Sequence, residues 1–349
     1  MKKAQVTAQQ VAQRAGVSPT TVSFVLNDVP GSTISEETKE RVRQVARDLG
    51  YVPHVGARAL ARGRSNNIGL VLIQPHYQVF TDPYIPNIIA GMSEVTQRNG
   101  FRILVENINS TQRLSSIEDM LKGGEVAGVI AINMYEVESG ITQLVEQGYP
   151  IVSLDVSTSS VISTVYIDHA HGVRQVVQHL IGLGHRRIAC IPYGPLKGNP
   201  HVTWRLGTYR QTLEDAGIPF DERLVRFGDF DPETGYRAMQ SLLTETDRPT
   251  AVFGMNDMMA LGAMTAIHEL GLRVPDDIAV VGYDDIRTAR FAYPALTTMR
   301  APERELGRRS ANMVVDLIQG NPPNQTPVSL YSQLVIRNSC GATRALPDD

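Results

Sequence analysis

The sequence predicts two unlike parts in one chain: an all-α helix-turn-helix head over residues 1–53, then an α/β core over residues 66–349 made of two doubly wound parallel-sheet subdomains. Three observations predict it. Three short segments near the start carry helix start and stop signals. From Ile68 onward, short apolar runs alternate with helical stretches, in two successive series. Charge divides at the same place. Residues 1–64 hold ten Lys/Arg against five Asp/Glu, a net +5, while the remainder carries −8 within an overall −3. A small basic head on a large acidic body implies that only the head meets a polyanion.

In the head, Thr7-Ala8-Gln9-Gln10 fits a capping box, in which the Thr hydroxyl and the Gln side chain satisfy free N–H groups reciprocally. Val11 and Ala12 begin an apolar face, and Gly16 supplies a tight turn. Ser18 suits an N-cap and Pro19 the first helical position, where its missing N–H has no consequence. Val22, Val25 and Leu26 form the buried stripe of a second helix. Ser35 caps a third, with Val42, Val45, Ala46 and Leu49 at helical spacing, closed by Gly50 and Pro53. Residues 54–64, HVGARALARGR, are small and basic with one large apolar residue, Leu60, and read as a linker able to become a short helix when held.

The core strands are expected at Ile68–Ile73, Phe101–Val105, Gly128–Ile132 and Ile151–Asp155, then at Arg187–Ile191, Ala251–Gly254 and Ile278–Gly282. Helical stretches lie between them, among them 86–99, 170–183, 205–216 and 256–270. Continuous apolar strands alternating with helices mean a parallel sheet covered on both faces. Two series mean two such sheets with a crevice between them, and ligands in these folds sit beyond the strand C-termini.

Several function classes drop out. No run of about 18 apolar residues is present for a membrane span. The start leads into Thr and Gln rather than an apolar secretory segment, so a cytoplasmic, nucleoid-associated protein is expected. Cys190 and Cys340 lack metal spacing and make no disulfide framework. There is no G-x-S-x-G, Walker-type phosphate loop or H-E-x-x-H, and neither an enzyme activity, a metal nor a cofactor is expected. His169-Ala170-His171 reads as packing rather than a metal pair, and His185 as structural.

Val11 to Ser23 (VAQRAGVSPTTVS) is a helix, a glycine-containing turn, and a helix whose N-terminus is dense in hydroxyls. That N-terminus suits DNA: N–H groups and Ser/Thr hydroxyls such as Thr7 and Ser18 bind phosphate, while short side chains reach base edges. A plain three-helix bundle is the alternative. With Ser35-Glu36-Glu37-Thr38 and Leu49-Gly50-Tyr51-Val52-Pro53 behind it, this stretch resembles the LacI/GalR (lactose-repressor-like) family of bacterial transcription regulators. The likeness continues at Leu154-Asp155-Val156-Ser157, at His179 to Ile188, at Asn256-Asp257-Met258-Met259-Ala260-Leu261-Gly262, at Val281-Gly282-Tyr283-Asp284-Asp285 and at Pro294-Ala295-Leu296-Thr297-Thr298.

The resemblance implies that Pro19 and Thr20 enter the major groove while Thr21, Ser23 and Asn27 position the helix on phosphates. Family members usually carry a basic residue where this chain has Phe24, so one polar contact is missing. It implies that 54–65 is a hinge helix whose Leu60 wedges into the minor groove, with Arg58 and Arg62 on phosphates. It implies a periplasmic-binding-protein-like core that closes on an effector, with an N-subdomain at about 66–163 and 296–326 and a C-subdomain at about 164–295 and 327–341. Carried-over pocket residues are Asp155, Arg205, Asn256 and Asp284. Phe230 and Phe291 are placed to stack on a sugar, Tyr84 and Asn133 to line the opposite lobe, and Trp204 beside Arg205 to stack or pack. The alternatives are a turn-former for Asp284 and ordinary core for Phe291.

The expectation is therefore a homodimeric repressor on a palindromic operator, responding to a sugar or sugar derivative. The chain stops at Asp349 without a tetramer-forming C-terminal helix, which favours a dimer. The alternatives are a solute-binding protein of a sugar transporter, an α/β enzyme using Asp155, Arg205 and Asp284 as an acid–base set, and a corepressor-dependent regulator sensing a purine or a protein partner.

Overall fold

The computed structural model describes residues 6–27, 32–51, 65–73, 83–108, 113–134, 137–155, 157–194, 200–323 and 326–342. The expected hinge segment, with Arg58, Leu60 and Arg62, lies outside the described residues.

The head consists of α1 (Ala8–Ala15), α2 (Pro19–Leu26) and α3 (Glu36–Leu49). Its local chemistry sets the boundaries. Thr7 and Gln10 close the capping box, with Thr7 N–H donating to Gln10 Oε1 at 2.9 Å and Gln10 N–H to Thr7 Oγ1 at 3.3 Å. Ser18 and Ser35 cap α2 and α3 by accepting from Thr21 and Thr38 N–H. Gly16 and Gly50, at φ 68° and 65°, end α1 and α3 in the left-handed conformation that glycine adopts without a steric penalty. Val11, Ala12, Ala15, Val22, Val25, Val42 and Ala46 form a small core of their own.

The first lobe contains β1 (Asn67–Leu72), α4 (Tyr84–Arg98), β2 (Arg102–Asn107), α5 (Arg113–Lys122), β3 (Gly128–Ile132), α6 (Glu138–Glu146), β4 (Ile151–Ser153) and β5 (Ser163–Ile167). The second contains α7 (His169–Gly182), β6 (Ile188–Ile191), α8 (Pro200–Asp215), α9 (Pro232–Leu243), β7 (Ala251–Gly254), α10 (Asp257–Glu269), β8 (Ala279–Asp284) and β9 (Thr297–Arg300). The chain then returns to the first lobe as α11 (Glu303–Ile318) and β10 (Val328–Leu330), and ends in the second as β11 (Gln333–Val335).

The first sheet runs β10-β5-β4-β3-β1-β2 and is parallel throughout; the second runs β11-β9-β8-β7-β6, with β11 alone antiparallel. Along β1, Ile68, Leu70 and Leu72 join one core, and Val71 with the following Ile73 joins the core on the opposite face. Both faces are buried, as the unbroken apolar runs require.

Strand pairing moves all three lobe crossings later than the subdomain boundaries expected from sequence. Ser163 pairs with Val152, which puts β5 in the first sheet, so the first crossing follows Ile167 rather than residue 163. Thr297 pairs with Val281, so the return follows Arg300 rather than residue 295. Val328 pairs with Val165, so the last crossing follows Leu330 rather than residue 326. Helix α8 also begins earlier than expected, at Pro200, a residue suited to a first helical turn.

Each lobe contains a helix pair whose glycines bring backbone against backbone. A Cβ on Gly91 of α4 would lie 1.9 Å from Arg304 O, and one on Gly307 of α11 would lie 2.1 Å from Ile88 O. In the second lobe, a Cβ on Gly262 of α10 would lie 1.9 Å from Pro232 O, and one on Gly235 of α9 would lie 2.2 Å from Met259 O. Backbone meets backbone at these four points, which fixes the two helices of each pair as a unit.

Candidate effector cleft and DNA-facing head

On the head, α2 presents Pro19, Thr20 and Phe24 to solvent, with Phe24 40% exposed. Thr7 and Ser18 are exposed N-caps, and Thr21 is half-buried with its hydroxyl 2.9 Å from Ser18 Oγ. Ser23 is half-buried as well. Asn27 departs from the phosphate-contacting role expected of it. It is only 3% exposed, its N–H donates to Ser23 O, and its Nδ2 donates to Ser23 Oγ at 3.2 Å. Its position at the end of α2 turns the side chain back onto the helix.

Between the lobes, the C-terminal end of β4 delivers Asp155. Its Oδ2 accepts from the backbone N–H groups of Asn133, at φ 61°, and of Met134. Its Oδ1 lies 3.3 Å from Nε2 of His201 on α8, so this contact joins the two lobes. Burial raises the Asp155 pKa against the pull of His201 and the two N–H groups, and it lowers that of His201. Both shifts favour the neutral forms.

One helical turn after His201, Arg205 is 8% exposed, and its guanidinium carbon lies 5.0 Å from the Tyr193 ring and 5.2 Å from the Tyr283 ring. Two aromatic faces stabilise a cation where water is excluded. Burial opposes the charge, but Tyr193, Tyr283 and Asp284 outweigh it and raise the pKa. Among the described residues, Arg205 Nε is buried without a hydrogen-bond partner. Asp284 ends β8 at φ 108°, a backbone conformation strained for a non-glycine residue. Tyr84, at the start of α4, has its phenol pushed well above the usual value, first by burial, then by the carboxylates of Asp155 and Glu303. Asp155, Arg205, Asp284 and Tyr84 are thus electrostatic neighbours, drawn from both lobes.

A second cluster ties the crossings together. Tyr283 OH lies 2.8 Å from Ser332 Oγ, just past the last crossing, and 3.1 Å from Nδ1 of His169, just past the first. Burial, reinforced by Arg205 and His201, holds His169 well below the usual imidazole pKa, which keeps it neutral. His171 instead contacts Gln175, and among the described residues no group of three or more His, Cys, Asp or Glu is placed to hold a metal ion. Cys190 and Cys340 are both free and buried.

Other expected pocket residues are placed differently. Asn256 is 2% exposed with its amide already engaged: Oδ1 accepts from Met259 N–H at 2.8 Å and Nδ2 donates to Phe230 O at 3.3 Å. It caps α10 and ties it to the Phe230 loop. Phe291 is not core, since it is 75% exposed in the turn Arg287–Phe291. Phe230, at φ 60°, stacks on Tyr193 with ring centroids 4.1 Å apart. Trp204 is 47% exposed and meets His201 edge-on at 5.7 Å. His201, Tyr193 and Tyr283 were not anticipated as site residues. His201 had a signal in the sequence, four residues before Arg205 on one helical face, and Tyr193 and Tyr283 fall at or just beyond strand ends.

Residues 7–54 match the model of the lacI family of bacterial regulatory proteins, and residues 177–340 that of a periplasmic binding protein-like domain. The chain is 36% identical over 337 residues to the HTH-type transcriptional regulator CelR of Thermobifida fusca, covering 95% of this chain and 98% of that protein. A CelR–cellobiose complex superposes with a TM-score of 0.71 at 34% identity, covering 96% of this chain and 100% of that one. The Lac repressor dimer bound to operator and the anti-inducer ONPF superposes with a TM-score of 0.82 at 32% identity, covering 96% and 99%. With a capped helix-turn-helix head, a two-lobed core with polar residues converging between the lobes, and likeness along nearly its whole length, the chain belongs to the LacI family and is a ligand-responsive, DNA-binding transcription regulator.

Proposed function

We propose that the chain is a repressor that binds a palindromic operator as a homodimer, with a sugar-like effector held between the lobes altering operator affinity. The observation that carries the effector reading is Arg205, a buried guanidinium between two tyrosine rings whose Nε lacks a hydrogen-bond partner among the described residues. Buried polar groups are normally paired. A polyhydroxyl ligand supplies the missing acceptor, and the neighbouring Asp155 and Asp284 carboxylates suit adjacent hydroxyls. The CelR–cellobiose complex supports the same ligand class.

Pro19 and Thr20 enter the major groove, while Ser18, Thr21 and Ser23 lie near phosphates. Thr7 serves the same purpose from the first helix. Two heads occupy half-sites about one helical turn apart. Leu60 wedges into the minor groove between them, with Arg58 and Arg62 on the flanking phosphates. The effector works by preferring one lobe arrangement over another, which changes how the two heads are presented. Acting on DNA, the protein works in the bacterial cytoplasm.

The test is duplex binding to the chain's own upstream region at two salt concentrations, with and without cellobiose and a panel of other saccharides, alongside Trp204 fluorescence. The expected result is salt-sensitive, sequence-selective binding that one saccharide shifts, with a saturable fluorescence change. No selective binding under any of these conditions sinks the proposal. Selective binding that no saccharide alters sinks its effector half alone.

A further inference from the structure

The second helix of the head carries no Lys, Arg, Asp or Glu in its eight residues, PTTVSFVL. Val22 and Val25 are buried in the head core and Leu26 is packed against it. Ser18 Oγ accepts from Thr21 N–H at 3.0 Å and meets the Thr21 hydroxyl, while Ser23 Oγ accepts from Asn27 Nδ2. What faces outward is the Pro19 ring, Thr20 and the Phe24 ring. Thr20 and Phe24 are four residues apart and so are neighbours on one helical face. An exposed phenyl ring in that position adds nothing to the head's own core.

Base edges in the major groove differ in what they ask of a protein. Guanine is read by Arg or Lys at O6 and N7, adenine by Asn or Gln at N6 and N7, and thymine offers a methyl group to an apolar side chain. Helix α2 has no Arg, Lys or Gln, and the asparagine that ends it is buried. The outward Thr20 hydroxyl can pair with any base edge and so selects none, whereas the Phe24 ring matches the methyl alone.

We propose that Phe24 is a specificity-determining residue that selects the 5-methyl group of a thymine in each operator half-site. The inference rests on the proposed seating of α2 in the major groove. The Phe24 ring covers the methyl and removes both apolar surfaces from water. The basic residues elsewhere in the head, including Arg14 and the arginines of α3, are left to supply affinity without sequence preference.

The experiment selects binding sites for the full-length chain from randomised duplexes, then replaces each thymine of the enriched site by uracil, one at a time. Uracil keeps the pairing edge and loses only the methyl. At one thymine per half-site, wild-type binding should weaken about fourfold, the amount expected for one buried methyl group. Phe24→Ala should bind the enriched site more weakly and lose the thymine–uracil difference at that position. Phe24→Leu should retain part of it. The uracil series on wild-type protein stands even if a variant misfolds. An enriched site whose every thymine tolerates uracil overturns the assignment and leaves the groove reading intact, as does a uracil effect that persists unchanged in folded Phe24→Ala. Failure to enrich any site overturns both.

Discussion

Asp257 offers a test of the second lobe that needs no ligand. Its side chain is fully buried in the first turn of α10. Oδ2 accepts from Ile286 N–H at 2.8 Å and Oδ1 from the Thr298 hydroxyl at 2.5 Å. The carboxylate lies against the Gly282 backbone, where an added Cβ would come within 2.1 Å of Oδ1. Burial pushes the pKa from 3.8 to about 7, opposed by the two hydrogen bonds and Arg337 and assisted by Asp285. The folded state therefore holds this proton more tightly than the unfolded chain does. The resulting stability is present in full below about pH 4 and is lost as pH rises through about 7. At about 1.4 kcal/mol per pKa unit the whole effect is about 4 kcal/mol, of which about 3 kcal/mol disappears between pH 5 and pH 8. Asp257→Asn removes the titration and keeps an acceptor for Ile286 N–H and a donor for Thr298. Urea unfolding followed by circular dichroism across pH 5–8 should show the variant gaining on wild type by about 3 kcal/mol over that interval. Parallel stability curves for the two proteins would refute the reasoning.

Gly262→Ala should destabilise the second lobe by about 1–3 kcal/mol, because the new methyl meets the Pro232 carbonyl. Gly207→Ala, in open space on α8, should instead be neutral or stabilising by up to about 1 kcal/mol, and equal urea midpoints for the two variants would contradict the close-approach argument. Arg205→Ala should abolish the saccharide-dependent Trp204 signal yet leave duplex binding in place, and Arg205→Lys should not restore it, because a lysine lacks the planar fork; an unchanged saccharide affinity would contradict the proposed site. Tyr283→Phe strips a hydroxyl from His169 and Ser332 at two crossings and should cost about 1–3 kcal/mol in thermal or urea stability, and a fully stable variant would show that this contact does not hold the crossings together.

Legibility in the sequence followed the range of the interactions. Caps and turns at Thr7, Gly16, Ser18, Ser35 and Gly50 are decided within a few residues, and each was readable. The long apolar strands were readable for the same reason. β5 and β10 were not, because Val165 and Val328 find each other across most of the core and neither strand has a long apolar run of its own. In the site, the residue types expected at Asp155, Arg205, Asp284 and Tyr84 do come together. Asn256, Asn27 and Phe291 share one feature: nothing local in the sequence reveals that the first two also serve helix ends or that the third is exposed. His201 was missed because its partner Asp155 comes from the other lobe.

The return of the chain to the first lobe has a consequence for synthesis. Helix α11 covers α4 through Gly91 and Gly307, and β10 completes the edge beside β5, yet both emerge only after nearly all of the second lobe has been made. The second lobe, continuous from α7 to β9, can fold as it leaves the ribosome. The first must wait with the α4 surface around Ile88 uncovered, for roughly 8–30 s at the usual rates of elongation. The part of the protein translated earlier thus waits longest for its covering helix, whereas the second lobe lacks only its antiparallel edge strand β11 and the few residues after it.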